Sequence, residues 1–179
     1  MPFRLLLQDA CVLINLLASG RFEDIARKCG FRLVVAAAVC SEALYVRDEE
    51  SGEPTLINLD ELFAKGLLER ADVETEEERA LYITYAADLD DGEAMSLALA
   101  ESRHLPMATD DRKARLLIGR EKIGVELSST VGLLQAWERS GGIERQEMRE
   151  VLSKIRKCAR FQPAAGTEEA EWWNQRIVV

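Results

Sequence analysis

Histidine is the scarcest functional side chain in this sequence of 179 residues, with His104 standing alone. That excludes a His-rich zinc site and leaves no convincing cysteine nucleophile with an imidazole base. Cysteine is sparse as well. Cys11, Cys29, Cys40 and Cys158 form no C-x-x-C pair and show no metal-ligand spacing, and three of them sit in apolar runs, so they read as reduced core residues of a cytoplasmic protein. Long hydrophobic runs are missing. The longest interior one, Leu33 to Cys40, is far below the roughly 20 residues a membrane helix needs, and the opening MPFRLLLQD reaches a charge by Asp9, unlike an export signal. No membrane partner is expected. Positive charge is also in deficit, at 23 basic against 32 acidic residues, and the net −9 argues against a sequence-independent grip on nucleic acid.

What is present describes a folding domain. Apolar residues at 47% and charged residues at 31% match an ordinary globular chain, and the length suits one domain with its own core. The charge is unevenly spread: Asp48 to Glu93 holds 16 acidic and 3 basic residues, net −13, which leaves +4 on the remainder. The expected organisation is a single domain over residues 1–160, an acidic, solvated helical insertion around 48–88, and a polar tail over 161–179. Trp172 and Trp173 in that tail either dock on the domain or serve a partner, docking being the simpler reading.

Strand and helix patterns alternate. Phe3 to Gln8 and Arg32 to Val35 suit buried parallel strands, and Leu105 to Thr109 suits a third. Helices are expected over Cys11 to Leu17, Phe22 to Cys29, Ala37 to Val46, Asp60 to Lys65, Thr75 to Ala87, Asp90 to Arg103, from Asp110 or Asp111 to about Ile118, Thr130 to Arg139 and Ile143 to Lys157. This pattern predicts an α/β fold, a three-layer α/β/α sandwich around a mostly parallel sheet.

In open α/β sheets, ligands bind beyond the carboxyl ends of the strands. Acidic residues gather at such places here: Asp9 after the first strand, Glu42 on the helix after the second, Asp91 and Glu93 opening the helix before the next, and Asp110 and Asp111 after that one. Carboxylates brought together repel unless cations separate them, and hard oxygen ligands suit Mg²⁺ or Mn²⁺. Each has a plainer reading. Asp9 caps a helix, Asp90 and Glu93 are spaced as a capping box, and one of Asp110 and Asp111 serves as a cap. Glu42 is flanked by Val39, Ala38, Ala43 and Val46, which makes it a lone carboxylate on an apolar face unless it is exposed.

The blocks QDACVLINL (8–16), AVCSEAL (38–44), DDGEAMSLALAE (90–101) and ATDDRKAR (108–115), in this order, resemble the motif blocks of PIN-domain nucleases, most closely the VapC-like toxin branch. SSTVGLLQAWERSGGI (128–143) resembles that branch's closing helix and glycine break. The resemblance covers most of the chain to about Lys157. It implies Asp9, Glu42, Glu93 and Asp111 as metal ligands, with Asp110 as an alternative fourth, and Asn15 and Thr130 as polar residues facing the site. It also implies hydrolysis of RNA phosphodiesters with Mg²⁺ or Mn²⁺, a homodimer and a small antitoxin partner. Arg112, Lys113 and Arg115, with Arg103 and Arg120 near them, either track the RNA backbone or form a solvated helix face. A catalytically silent PIN-like module that recruits a basic protein or peptide is the alternative, and it accounts for the net charge more directly.

Overall fold

Three consecutive leucines, Leu5 to Leu7, make the first strand apolar on both faces, which is what a parallel strand covered by helices on both sides requires. The computed structural model describes residues 4–177; Phe3, expected to open this strand, lies outside the described residues. β1 (Arg4–Gln8) is central, with Leu6 and Leu7 fully buried. It pairs in parallel with β2 (Phe31–Ala36), Leu6 opposite Leu33.

The next pair of strands leaves this sheet. β3 (Tyr45–Arg47) and β4 (Pro54–Leu56) form an antiparallel hairpin of their own, with Tyr45 opposite Leu56. β5 (Leu68–Ala71) returns to the sheet beside β2, while β6 (Met107–Ala108) joins the other side of β1, followed by β7 (Leu127–Ser128). The sheet order is β5-β2-β1-β6-β7, all parallel.

Helices flank this sheet in the expected three-layer α/β/α arrangement. They are α1 (Ala10–Ala18), α2 (Phe22–Lys28), α3 (Ala37–Cys40), α4 (Leu59–Ala64), α5 (Glu76–Tyr85), α6 (Asp91–Ser102), α7 (Arg112–Glu121), α8 (Thr130–Arg139), α9 (Arg145–Lys154) and α10 (Glu168–Ile177). α6 packs on β1, β2 and β6 with α3 and α5 beside it. Its alanines and leucines from Leu97 to Ala100 are completely buried, so α6 carries much of the core. Among the described residues no helix is long and apolar enough to cross a membrane.

Two local expectations change. The helix expected over Ala37 to Val46 stops at Cys40, and Tyr45 to Arg47 is a strand. The Asp48 carboxylate accepts the Glu50 and Ser51 N–H groups, and Gly52 takes the left-handed φ of 73° that closes the turn. A β-branched, aromatic pair such as Tyr45-Val46 then finds a cross-strand partner, and helix is no longer the best use of that segment. The acidic region is likewise more than an insertion, because β5 within it forms one edge of the central sheet. Its Leu68 is buried against the core while Glu69 pairs at 2.8 Å with Arg32 of β2.

The cysteines are free, but only Cys158 is buried. Cys29 and Cys40 are half-buried and Cys11 is exposed, contrary to their reading as core residues. Cys11 falls on the face of α1 that looks away from the core formed by Val12, Leu13 and Leu16.

The polar tail folds. Trp173 is buried, meeting Phe161 edge to face with ring centroids 5.8 Å apart. Trp172 donates its indole N–H to Glu138 at 3.2 Å, and the Arg176 guanidinium lies 4.4 Å above its ring while pairing with the same glutamate. α10 thereby packs on α8 and α9. Trp173→Ala should lower stability by about 3–5 kcal/mol, the usual cost of removing a buried Trp or Phe. Urea denaturation monitored by circular dichroism measures it; a shift within error of zero would mean that the tail does not stabilise the domain.

Candidate active site

The carboxyl edge of the parallel sheet is where several helix starts meet. Asp9, directly after β1, is the N-cap of α1 and accepts the Val12 N–H on Oδ1 at 2.8 Å. Its other oxygen, Oδ2, is buried without a hydrogen-bond partner among the described residues, in a side chain only 1% exposed. A bare carboxylate oxygen out of water is costly. Burial first, and then the nearby charges of Asp110 and Glu93, push the Asp9 pKa up to about 7, against the Val12 hydrogen bond that lowers it.

Asp90 is the N-cap of α6, accepting the Glu93 N–H at 2.9 Å. The reciprocal half of a capping box, from the Glu93 side chain to the Asp90 N–H, is not formed, which leaves the Glu93 carboxylate for the site. Glu93 is also pushed up to about 7, by burial and then by Asp111 and Asp90.

The two aspartates after β6 divide their work. Asp111 is the N-cap of α7, accepting the Ala114 N–H at 2.7 Å. Asp110 turns toward α8. Its Oδ1 accepts the Thr130 N–H at 2.9 Å, and its Oδ2 accepts the Thr130 hydroxyl at 2.5 Å and the Asn15 amide at 3.0 Å. Asn15 donates to the Thr130 hydroxyl as well, at 3.1 Å. Burial raises the Asp110 pKa although these donors lower it.

Asp9, Glu93, Asp110 and Asp111 therefore form one electrostatic group. The exposed Cys11 reports it independently: partial desolvation and then all four of these carboxylates push its thiol up, so it is no nucleophile.

Other expected residues are placed differently. Glu42 lies just beyond α3 and is exposed, not alone on an apolar helix face. Burial of its carboxyl and then the charges of Asp90 and Asp91 raise its pKa. It stands against Gly92 in a cavity of about 480 Å³ that Tyr82, Asp90 and Asp91 also line. A Cβ at position 92 would collide with the Glu42 carboxylate and come within 3.2 Å of Val39 Cγ2, which is why this helix start has glycine. The arrangement groups Glu42 with Asp90 and Asp91, on the same helix start as Glu93.

Thr130 is completely buried and Asn15 is 3% exposed, so both position Asp110 and neither offers a surface for substrate. The substrate-binding role expected for Thr130 is corrected accordingly. Arg115 is corrected too: its Nη1 donates to the backbone carbonyls of Thr109 and Ser128, at 3.0 and 3.1 Å, and ties α7 to the strand ends. Arg103 pairs at 2.6 Å with the buried Glu78, whose pKa it pulls down to about 2, and Arg120 pairs with Glu121 and Asp88. Arg112 and Lys113 remain exposed beside the site.

The tail supplies a residue that sequence reasoning missed. Glu169, at the start of α10, accepts the Ser129 hydroxyl at 2.6 Å, and Ser129 in turn caps α8 by accepting the Gly132 N–H at 2.8 Å. Its signal was faint, one acidic residue among several in a polar stretch.

Among the described residues no three carboxylates converge tightly enough to hold a metal ion by themselves. The donor set nonetheless fits a hard divalent cation. It is all oxygen, it includes an unpartnered buried oxygen on Asp9, and Mg²⁺ commonly takes one or two protein carboxylates and completes its shell with water and phosphate.

A family model described as PIN domain matches residues 5–168. The chain belongs to the PIN-domain family. PIN domains are generally nucleases, and the nucleases typically use divalent metal ions. The match includes Glu169's neighbour Glu168 and most of the segment first read as a tail. No curated protein and no solved structure matches the chain significantly.

Two measurements probe this PIN-domain site. Asp9 and Glu93 are both raised to about 7 in the metal-free fold, well above ordinary carboxylates. Their protonated forms favour folding, so this stability is full below about pH 4 and is lost as pH rises through about 7. The metal-free protein should therefore show a lower urea midpoint at pH 8 than at pH 6. Asp9→Asn should reduce that difference, and an unchanged slope would contradict the burial of Asp9. Thr130→Val should cost about 1–3 kcal/mol, as expected when a buried acceptor loses its donor. Denaturant titration checks it, and a neutral result would mean that Asp110 is not held by this clamp.

Proposed function

We propose that this PIN domain is a metal-dependent endoribonuclease and the toxin of a toxin–antitoxin pair. The observation that carries the nuclease reading is the Asp9, Glu93, Asp110 and Asp111 group at the sheet's carboxyl edge, with the unpartnered Oδ2 of Asp9 inside it. Asp9, Glu93 and Asp111 would hold Mg²⁺ or Mn²⁺, with Glu42 reaching the same helix start and Asp110 next to them. A bound ion supplies an acidified water and stabilises charge on the leaving oxygen.

The chain's own residues set the stage for that chemistry. Thr130 and Asn15 fix the Asp110 carboxylate, and the Val12 N–H fixes that of Asp9, so neither needs to reorganise when a phosphodiester arrives. Arg112 and Lys113, exposed at the start of α7, are placed to meet the phosphates of a single strand. RNA as the substrate, the small antitoxin and a homodimer rest on the likeness of the motif blocks to VapC-like toxins.

The spread of the carboxylates favours a second reading, a PIN-like module without activity that recruits a basic protein or peptide through its acidic face. Titration calorimetry of the wild type with Mn²⁺ separates the two, since the silent module binds none. Purified protein should cleave single-stranded RNA with Mg²⁺ or Mn²⁺ and stop in EDTA. Asp9→Asn should lose at least about 100-fold, a scale already reached when groups supporting a metal site are removed. Cleavage that survives this substitution would sink the site assignment.

A further inference from the structure

A cleft of about 800 Å³ opens between α7 and the segment leading into α10, with Asp110 in its lining. This volume lies within the roughly 300–1,000 Å³ range of small-molecule pockets. Because Asp110 belongs also to the carboxylate group, the cleft is continuous with the candidate active site.

We propose that the cleft seats one unpaired nucleobase of the RNA next to the bond that is cut, and that it selects guanine. The proposal rests on the nuclease reading above. The walls suit a flat, partly apolar ligand. Leu116 projects from α7 with 60% of its surface exposed, and Phe161 faces the cleft from the tail, its ring braced by Trp173. Arg115 also lines it, and its guanidinium is immobilised by the two backbone carbonyls it serves. Single-stranded bases are commonly held between apolar or aromatic surfaces and guanidinium planes.

The polar groups decide which base. Glu169 is fixed through Oε1 by the Ser129 hydroxyl, and its carboxylate can only accept hydrogen bonds. Guanine alone among the four bases has two adjacent donors, N1–H and N2–H, on its Watson–Crick edge. Uracil presents one N–H flanked by carbonyl oxygens that a carboxylate repels, and cytosine and adenine each present a single amine beside an acceptor. Arg112 also lines the cleft and makes no ion pair among the described residues, so it is free to meet the phosphate attached to the seated nucleotide.

The test uses the full chain and adenylate hexamers carrying either one guanosine or one uridine. Fluorescence anisotropy in EDTA, where no cutting occurs, should show the guanosine hexamer binding about tenfold or more tightly, the usual size of discrimination by a two-bond contact. Glu169→Gln should erase that preference and leave the uridine hexamer's affinity unchanged. Leu116→Ala, an exposed change that leaves the Ser129 contact intact, should weaken the guanosine hexamer about threefold or more through lost apolar contact. Cleavage mapping with Mn²⁺ should place guanosine beside the cut. Equal binding of the two hexamers, or a guanosine preference that neither substitution alters, overturns the proposal. Efficient cleavage without base preference also overturns it while leaving the nuclease reading standing. A guanosine preference in binding with no cleavage of any RNA supports the cleft and removes the nuclease reading instead.

Discussion

Negative charge held out of water at one end of the sheet is the constraint around which the rest of this protein is arranged. Asp9, Glu93 and Asp110 all have raised pKa values, first because of burial and then because of one another or other acids nearby. The fold answers with donors in place of cations. α1, α6, α7 and α8 all begin at this edge, and the N–H groups of Val12, Glu93, Ala114 and Thr130 each meet an aspartate there. Helix N-termini are electropositive, so their convergence lets acidic residues share a small volume. Asp9 Oδ2 is the oxygen this scheme leaves unserved, and it is the point at which a divalent ion would have most to contribute.

The basic residues obey the same economy. Arg103, Arg115 and Arg120 sit near the site in sequence, yet each is committed to holding the fold, through Glu78, two backbone carbonyls, and Glu121 with Asp88. Arg112 and Lys113 alone of that cluster stay exposed without such anchors among the described residues. The net −9 is therefore a poor guide to the surface beside the site. Much of it belongs to the hairpin, to α4 and to α5, where acidic side chains are mostly solvated and begin helices favourably.

Legibility in the sequence followed the range of the interaction. The leucine run of β1, the alanine and leucine body of α6 and the caps at Asp9 and Asp90 depend on neighbours within a few residues, and all could be read directly. Glu42 was misplaced because the segment Ala37 to Val46 is apolar enough for helix or strand, and a turn at Asp48 to Glu53 tipped it. Asn15 and Thr130 were recognised as polar residues near the site, but their purpose was hidden. Asn15 meets Asp110 across 95 positions and Thr130 across 115, and no periodicity encodes such a meeting.

The sequence by itself determined the layered α/β architecture, the parallel character of the sheet and which acidic residues stand at strand ends, since periodicity and capping are local properties of the chain. Tertiary structure decided how those acids are used. It gave Asp111 to a cap and Asp110 to a clamp, left one oxygen of Asp9 bare, grouped Glu42 with Asp90 and Asp91, and folded the tail so that Glu169 reaches Ser129. Burial and the distances between distant side chains set these roles, and both come into being only when the layers pack.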